Sequence, residues 1–518
     1  ADAVQAHAGG QFRLYSGISV RSCGHYDLNL CAQRAEVICS RLADETRPLL
    51  CQDECRLELL LEQIPPQTKQ EFVRQVFGGC PEEDIDEWNR IVQVLTQNNG
   101  SINRSASELF MHKNTLQYRL MRIKGIPERL ITGDSSDWEK FRAFCTVFPM
   151  LIGTPVYEWA RMELRTVFGC TLLPSADTAS EIWAHTQAQL RTPAFSARAI
   201  VKRFRVEYLA PCCRITEDVA RFAESDLLAP SLRGDDWIAP TPAFLAELEA
   251  STGRSTDTLD AFTDAAAARM DVFHQMGCRF ADHALDSGFR YAPDARTAAA
   301  AYAKLRDGRP LTDGEQRALS GELLRRAGVL YARCGWAVQL HVGAVRATSD
   351  RLRAAAGAAG GYAAIGTDYR VEDLTRLLND WERAAGGLPK VILYTLNPAY
   401  NAAFAALSGS YARDGVPGVV CQGPAWWWCD HRQGIRQMLS HYASYAVLSE
   451  FVGMTTDSRS LLSLTRHAYF RQIACQWLAE KCVSGEYDCT DETAQQLLTD
   501  IFYRNARLLL PAVRDGEQ

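Results

Sequence analysis

The sequence predicts an α/β fold for its larger, carboxyl-terminal part and a smaller mixed α+β segment before it. From about residue 125 onward, apolar runs of strand length alternate with long stretches of helical period, and the apolar runs end in polar residues. This alternation is typical of domains in which helices pack on a parallel sheet. A chain of 518 residues is also long enough to form two or more domains, each with its own core.

Composition and charge exclude several classes of protein. Hydrophobic residues make up 47% and charged residues 23% of the chain, as in ordinary globular proteins. The net charge of −6 argues against nucleic-acid binding over the whole surface but leaves room for one small basic module. No stretch reaches the roughly 18 uncharged apolar residues of a membrane span, and no signal peptide opens the chain. We therefore expect a cytoplasmic protein without a membrane partner.

The 17 cysteines are odd in number, scattered, and not arranged in paired C-x-x-C motifs with zinc spacing. Cysteines such as the adjacent Cys212 and Cys213 are most simply small buried residues in a reducing compartment.

Residues 1–90 predict a small mixed α/β module. The run "GQFRLYSGISV" carries apolar side chains at alternate positions, as a strand does, and "LCAQRAEVICSRLADE" has helical spacing. We interpret this module as sensory or dimerising, and no residue in it identifies a ligand.

Residues 91–124 predict a helix-turn-helix. One helix ends at the turn signal Asn98-Asn99-Gly100, a second covers about residues 101–110, and a third begins near Lys113 with an apolar stripe of Leu116, Leu120 and Ile123. Polar side chains at the start of the third helix are candidates to contact duplex DNA through residues 101–123: Lys113, Asn114, Thr115, Gln117 and Arg119. The pattern fits an ordinary helical hairpin with a solvated polar face equally well.

Polar residues follow three strand-like runs of the larger part. These runs are "VQLHVGAVR" (338–346), "KVILYTLNP" (390–398) and "FVGMTTDSR" (451–459). In a parallel barrel the carboxyl ends of the strands meet at one mouth, where a shared site would form from His341, Arg346, Asn397, Asp457 and Arg459. The alternative for any single residue is that it caps a neighbouring helix.

Two family resemblances divide the chain. "LLLEQIPPQTKQEFVRQVFG" and "ELFMHKNTLQYRL" resemble the carboxyl-terminal helix-turn-helix part of sugar diacid and purine catabolism regulators over about residues 10–123. From about Arg119 to Arg514 the chain resembles uronate isomerase, a divergent member of the metal-dependent amidohydrolase superfamily. The blocks that carry this second resemblance are "GCRFADHALD", "LHVGAVR", "LPKVILYTLNPAYN", "DGVPGVVCQGPAWWWCD" and "FVGMTTDSRSLLSLTRHAYFR".

The uronate isomerase resemblance implies a (β/α)8 TIM-type barrel with helical insertions over residues 125–518 and assigns candidate catalytic residues. Asp457 is similar to the strand-end carboxylate that approaches the metal and transfers protons in that family. His341 is similar to its strand-end imidazole, and Asp282 to another acid of its catalytic site. Isomerisation of an aldose to a ketose needs such groups to move a proton between two carbons and to stabilise an enediolate oxygen.

Further residues are candidates to bind the substrate. Arg346 and Arg459 suit the carboxylate that distinguishes a uronate from a plain sugar. Trp426 or Trp427 offers an aromatic face to a sugar ring, with core or lid packing as the alternative. Arg233 lies where the family also carries an arginine. Tyr118 coincides with a tyrosine of the family, although it fits the regulator motif equally well and is more simply a packing residue.

One motif of the family is missing. Its barrel begins with a strand that ends in His-x-His and supplies two metal ligands, yet none of the ten histidines here lies two positions from another. We therefore expect a barrel that lacks its usual first strand, with zinc or manganese weakly bound through Asp457 and no nucleotide cofactor.

These observations leave three alternative functions for the chain. The first is a uronate isomerase of hexuronate catabolism that converts D-glucuronate to D-fructuronate and D-galacturonate to D-tagaturonate, as a homo-oligomer. The second is a DNA-binding regulator of sugar-acid catabolism with an enzyme-derived sensor domain. The third is a chimeric product of two neighbouring genes, joined in the stretch from Ser107 to Asp134.

Overall fold

The computed structural model describes residues 115–510 apart from residues 226, 358–359 and 458–459, together with two short strands nearer the amino terminus. The chain divides into two units, residues 1–100 and residues 101–518. In the first unit, strands β1 (Ser16–Ile18) and β2 (Leu49–Cys51) pair in parallel. β1 falls inside the predicted strand, while the other predictions for residues 1–90 and for the first two helices of the helix-turn-helix lie outside the described residues.

The second unit is built on a parallel sheet of six strands that follow one another in chain order, β3-β4-β5-β6-β9-β10. A separate antiparallel pair, β7 and β8, follows β6. The strands are β3 (Cys212–Arg214), β4 (Ser231–Arg233), β5 (Phe280–Leu285), β6 (Ala337–Val342), β7 (Ala344–Val345), β8 (Ala364–Ile365), β9 (Val391–Thr395) and β10 (Val420–Gln422).

Helices separate most of these strands, as a (β/α)8 architecture requires. The described α-helices are α1 (Thr115–Ile123), α2 (Asp137–Val147), α3 (Pro155–Phe168), α4 (Ala179–Leu190), α5 (Ala197–Arg203), α6 (Asp235–Ile238), α7 (Pro242–Thr252), α8 (Leu259–Gln275), α9 (Ala295–Arg306), α10 (Asp313–Cys334), α11 (Asp350–Ala356), α12 (Val371–Ala385), α13 (Asn401–Leu407), α14 (Arg432–Tyr445), α15 (Thr465–Val483), α16 (Asp491–Thr499) and α17 (Asn505–Leu508).

Local sequence explains where the long helices begin and end. α10 starts with a capping box, in which the side chains of Thr312 and Glu315 each accept a hydrogen bond from the other residue's backbone. It ends at Gly335, whose φ of 67° is a left-handed conformation that glycine adopts without steric penalty. Among the described helices, none is both long and apolar enough to cross a bilayer.

Two large hydrophobic clusters hold the second unit together. The first lies between the sheet and the helices around it and includes the fully buried Val338, Leu340 and Trp381. The second is helical and joins α1, α2 and α3 to α14 and α15. α1 contributes Tyr118 and Met121, which are 8% and 2% exposed.

This packing corrects the predicted apolar stripe of the third helix of the helix-turn-helix. Leu116 and Leu120 are only partly buried against the second cluster, and Ile123 is 69% exposed. The buried face instead carries Tyr118 and Met121. The physical reason is that the helix packs against α14 and α15, whose contacts the local sequence does not encode.

The run from Phe451 to Asp457, predicted as a strand, has no strand assignment. A strand is defined by its ladder, and β3 and β10 form the two edges of the six-stranded sheet. Side-chain contacts hold this segment instead. The amide of Asn505 donates hydrogen bonds to the carbonyl oxygens of Ser449 and Phe451, the latter at 2.9 Å.

Candidate active site

The candidate site lies where β4, β5 and β6 run side by side. In the parallel ladders, Arg233 is opposite Asp282 and Ala284 is opposite His341. The register therefore brings a guanidinium, a carboxyl and an imidazole from three separate stretches of sequence into one region.

Asp282 is the most buried acid of this region, with 2% of its surface exposed. The guanidinium of Arg233 pairs with one carboxyl oxygen, and the thiol of Cys212 donates to the other at 3.7 Å. Burial raises the pKa of Asp282 to about 6, the charge of Arg233 opposes this rise, and the charges of Asp235 and Asp457 add to it. Asp282 therefore changes its protonation close to neutral pH.

Asp235 anchors Arg233. The Nε of Arg233 donates to Asp235 Oδ2 at 2.7 Å, and the backbone amide of Ala284 donates to Asp235 Oδ1 at 2.8 Å. Although burial acts to raise it, the Arg233 charge and this backbone hydrogen bond hold the pKa of Asp235 below its ordinary value. Asp235 is thus ionised, and it ties the guanidinium to the backbone of β5.

His341 is enclosed by aromatic rings. Tyr394 stacks on the imidazole at 4.6 Å with an interplanar angle of 14°, and Trp426 lies against it at 4.9 Å. Burial and the charges of Arg233 and Arg346 lower the pKa of His341 to about 3. Its Nδ1 lies 3.9 Å from Asp282 Oδ2, but the imidazole is neutral at pH 7, so this contact is not an ion pair. Nδ1 is buried without a hydrogen-bond partner among the described residues.

Asp457 faces the same aromatic group. The indole Nε1 of Trp426 donates to Asp457 Oδ2 at 3.0 Å. Part of Asp457 is exposed to solvent. Desolvation by the surrounding protein raises the pKa of its carboxyl, although hydrogen bonds from Trp426 and Trp427 and the charge of Arg233 oppose the rise. Its φ of 37° places a non-glycine residue in the left-handed region. Trp426 contacts both His341 and Asp457 and so links the two predicted catalytic groups.

The structure distinguishes the two tryptophans for which sugar stacking and packing were alternatives. Trp426 is 5% exposed and packs in a cluster with Ile392, Tyr394 and Val452. Trp427 is half-buried, and the guanidinium of Arg346 lies over its ring at 5.3 Å. Packing therefore accounts for Trp426, and Trp427 is the more accessible aromatic face.

Arg346 is oriented by a partner that the sequence did not point out. Its Nε donates to both carboxyl oxygens of Asp286, at 2.9 and 2.8 Å. The pKa of Asp286 is raised by burial, against the charge of Arg346. The other candidate for the substrate carboxylate, Arg459, lies outside the described residues.

Asn397 caps the turn that follows β9, which was the alternative to a role in the shared site. Its side-chain oxygen accepts a hydrogen bond from the amide of Ala399 at 3.0 Å, and its amide donates to the carbonyl of Gly366 at 3.3 Å. These contacts give Asn397 a local structural role at the end of β9.

Tyr118 and three of the candidate DNA-contact residues belong to α1. Tyr118 is buried in the second cluster, which favours packing over substrate binding. Lys113 and Asn114 lie outside the described residues, whereas Thr115, Gln117 and Arg119 belong to α1. Arg119 donates to the carbonyl of Ala363 at 3.1 Å and lies over the ring of Trp428 at 5.0 Å. Arg119 thus contacts parts of the second unit that adjoin the site.

The donors around the site do not fit a resident metal ion. Within residues 115–510, gaps excepted, no group of three or more histidine, cysteine or acidic side chains is arranged to hold one. Asp282 is already paired with Arg233, and Asp457 with Trp426. A four-coordinate zinc site needs three or four protein ligands, so these residues would need additional donors.

Several residues of the site were not predicted from the sequence. Asp235 follows Arg233 by two positions, and this short spacing between an acid and an arginine is the signal in the sequence that points to their pairing. Gln339 lies two positions before His341 on the same strand face and accepts a hydrogen bond from Tyr394 Oη at 2.8 Å. Cys212 was expected to be buried like Cys213, but it is exposed at the end of β3 whereas Cys213 is not. Alternation along the strand explains the difference.

Comparisons with known proteins agree with this arrangement. The sequence pattern of the family described as glucuronate isomerase matches residues 95–510. The chain belongs to the glucuronate isomerase family. The match begins before Arg119, where the resemblance was expected to start, and includes most of the segment predicted as a helix-turn-helix.

Individual members of the glucuronate isomerase family are similar over most of their length. A uronate isomerase of Caldanaerobacter subterraneus is 34% identical over 415 residues, covering 78% of this chain and 89% of the relative. A uronate isomerase of Serratia proteamaculans is 35% identical over 412 residues, covering 77% and 87%. The reaction class of the family is aldose–ketose isomerisation.

Solved structures show the same fold. The uronate isomerase of Thermotoga maritima superposes with a TM-score of 0.71 at 27% identity, over 77% of this chain and 88% of that one. The glucuronate isomerase of Caulobacter crescentus superposes with a TM-score of 0.69 at 22% identity, over 78% and 86%. The parallel sheet of six described strands with its helices is therefore the α/β fold of these isomerases, consistent with a TIM-type barrel.

Proposed function

We propose that the chain is a uronate isomerase that interconverts an aldouronate and a ketouronate, with D-glucuronate and D-fructuronate as the first pair to test. D-galacturonate and D-tagaturonate are the second pair. The observation that carries the proposal is the contact of Trp426 with both His341 and Asp457, with Asp282 3.9 Å from His341, in a chain that matches the isomerase family over residues 95–510.

The proton transfer falls to a carboxylate. Isomerisation removes a proton from the carbon next to the carbonyl and returns one to the former carbonyl carbon. Asp457, held by the indole of Trp426, is the group that we assign to this transfer. Desolvation by the surrounding protein raises its pKa, which makes the carboxylate a stronger base than an unperturbed one.

The oxygen on which charge develops needs a donor. His341 is neutral at pH 7, and its Nδ1 has no hydrogen-bond partner among the described residues. A neutral imidazole can donate to an enediolate oxygen from one ring nitrogen without adding a full charge to the site. Tyr394 and Trp426 pack on the imidazole and orient the ring, and Asp282, fixed by Arg233, lies 3.9 Å from Nδ1.

Recognition of the uronate carboxylate falls to Arg346 and Arg459. Asp286 contacts Arg346 through Nε, and the two terminal amino groups are those that would form a bidentate pair with a substrate carboxylate. Trp427, under the same guanidinium, is the aromatic face that we assign to the sugar ring. A lysine at position 459 should mainly weaken uronate binding, because it loses the planar two-pronged fit.

The test is conversion of glucuronate by the purified chain, coupled to reduction of the ketouronate product, with zinc or manganese added. Asp457→Asn should lower turnover by roughly 10²–10⁴-fold, because asparagine keeps the shape but cannot carry the proton. Asp373→Asn is the control, since Asp373 is a buried acid of α12 that pairs with Arg376 and takes no part in the candidate site. Wild-type turnover in the Asp457 variant would show that the catalytic centre lies elsewhere, and an inactive wild-type chain would overturn the proposal.

A further inference from the structure

A second reactive group lies outside the strand-end site. The sulfur atoms of Cys482 and Cys489 are 3.1 Å apart. Cys482 belongs to the last turn of α15, and Cys489 directly precedes Thr490, whose side chain caps the start of α16. Both cysteines are half-buried, so solvent and small molecules reach them.

The loop between the two cysteines is held in place by its own contacts. Gly485 has a φ of 76° and donates its amide to the carbonyl of Cys482 at 3.0 Å. The amide of Tyr487 donates to the carbonyl of Lys481 at 3.0 Å, and the Nζ of Lys481 pairs with Glu486 at 2.6 Å. The close approach of the sulfurs is therefore supported by a turn with several fixed points.

A further aromatic contact anchors this loop to the helix before it. The ring of Tyr487 meets that of Trp477, on α15, edge-on at 5.8 Å. Trp477 is 3% exposed and belongs to the second hydrophobic cluster. The loop that carries Cys489 is thus fixed to the core and not only to its own backbone.

We propose that Cys482 and Cys489 are a redox modification site that forms a reversible disulfide by exchange with a low-molecular-weight disulfide such as oxidised glutathione. A disulfide bond joins two sulfurs about 2.05 Å apart, so the pair needs to close by only about 1 Å. Disulfides that form in reducing compartments are typically transient and redox-sensing.

The exchange proceeds in two balanced steps. The thiolate of one cysteine attacks one sulfur of the small disulfide, which forms a mixed disulfide and releases one glutathione thiolate. The other cysteine then gives up its proton, and its sulfur attacks the protein sulfur of the mixed disulfide, which releases the second glutathione. The two protein thiols are oxidised to one disulfide, and one oxidised glutathione is reduced to two glutathione molecules.

The hydrogen bond between the sulfurs raises the pKa of the Cys482 thiol, and partial burial acts in the same direction. Either sulfur can be the donor of this hydrogen bond, so the exchange can begin at either cysteine.

Cys475 is a matched control within the same helix. It is exposed and precedes Cys482 by seven residues along α15, which corresponds to roughly 10 Å of helix. Two cysteines whose Cα atoms are more than about 7 Å apart cannot be bridged without movement of the backbone. Cys475 should therefore form only a mixed disulfide.

The experiment uses the full chain in glutathione buffers of increasing oxidised fraction, followed by alkylation of remaining thiols and digestion with trypsin. Residues 482–504 form one tryptic peptide that contains both cysteines, and residues 472–481 form another that contains Cys475 alone. The first peptide should appear without alkylation or glutathione and lighter than the dithiol by two hydrogen atoms. The second should carry glutathione or the alkyl group.

A variant and an unfolded control test whether the fold, and not only the short distance between the two cysteines in the sequence, promotes the disulfide. In Cys482→Ser, Cys489 should retain glutathione, because no second thiol resolves the mixed disulfide. In wild-type protein unfolded with urea, the internal disulfide should need a higher oxidised fraction to form. Two glutathione adducts on the 482–504 peptide of the folded protein, two free thiols under conditions that modify Cys475, or equal behaviour after unfolding would each overturn the proposal.

Discussion

The ionisation of Asp282 is set by its neighbours more than by its own chemistry. His341 and Asp457 were predicted from the polar ends of strand-like runs, and Asp282 from the family resemblance; their catalytic roles stay predictions. Asp235 was not predicted, although it follows Arg233 by only two positions, because an acid that orients an arginine has no motif of its own. For the same reason, the aromatic stacking of Tyr394 on His341 became visible only in the fold.

Removal of the Arg233 charge should move the pH dependence of the reaction. The positive charge of Arg233 lowers the pKa of Asp282, which lies at about 6 in its presence. We expect that Arg233→Gln shifts the inflection of kcat/KM near pH 6 to higher pH, because the carboxylate loses its compensating cation. Arg214→Gln removes the same charge from the neighbouring strand end, where Arg214 pairs with Asp236 and Glu247. An unchanged inflection in Arg233→Gln, or an equal shift in the control, would contradict this assignment.

Periodicity predicted some elements correctly and others wrongly, for a common reason. The runs that became β6 and β9 pair with strands on both sides, so their apolar composition reflects burial on both faces. The segment from Phe451 to Asp457 has a similar composition but no ladder.

α1 was predicted from its sequence as a recognition helix, yet its packing against α14 and α15 makes Tyr118 and Met121 core residues. DNA binding through residues 101–123 stays a prediction, and α1 would have to meet DNA with the face opposite these two residues.

The segment that carries Asp457 depends on its contact with the π-helical turn Asp500–Arg504. A Cβ at Gly453 would overlap the carbonyl oxygen of Ile501, and its φ is 74°. Gly453→Ala should therefore destabilise the protein by more than the about 1–2 kcal/mol that a left-handed conformation costs alone, and should lower turnover by displacing Asp457. Gly485→Ala has a similar φ of 76° but open space around it, so it supplies the conformational cost alone. Equal losses of thermal stability and of kcat in the two variants would refute the crowding at Gly453.

For the whole molecule, the missing His-x-His pair should appear as weak metal binding. Among the residues that the structure describes, no cluster of three ligands is available. We expect purified protein to hold less than one zinc per chain after dialysis against a chelator, with an unchanged melting temperature, because no structural site is lost. Elemental analysis and calorimetry before and after dialysis measure both quantities. Stoichiometric zinc that survives dialysis would show that other residues complete a site.

Stability should fall as the pH is lowered below neutrality. Burial lowers the pKa of His341 to about 3, and the pKa values of His283 and His467 to about 4. A histidine whose pKa is depressed on folding stabilises the folded state above its unfolded pKa of about 6.5 and loses this contribution as pH falls. Asp282 and Glu163, whose pKa values burial raises to about 6 and about 7, act in the opposite sense. Carboxyls whose pKa is lowered by hydrogen bonds, such as Glu315 at about 2, lose their stabilising contribution in the same direction as the histidines. Melting temperatures measured from pH 7 down to pH 4 should therefore decrease, and a rise over this range would contradict the buried neutral histidines.

The left-handed conformation of Asp457 determines which substitutions at this position the fold would tolerate if selection for activity were relaxed. Asparagine and glycine adopt a φ near 37° more readily than most other residues. With Asp457 as the proposed proton-transfer group, its replacement by either residue would remove this group while relieving backbone strain, so the variant would fold at least as stably as its parent. Loss of activity by this substitution would therefore cost the protein no folding stability. A higher melting temperature of Asp457→Gly than of wild type would reveal that this route is open.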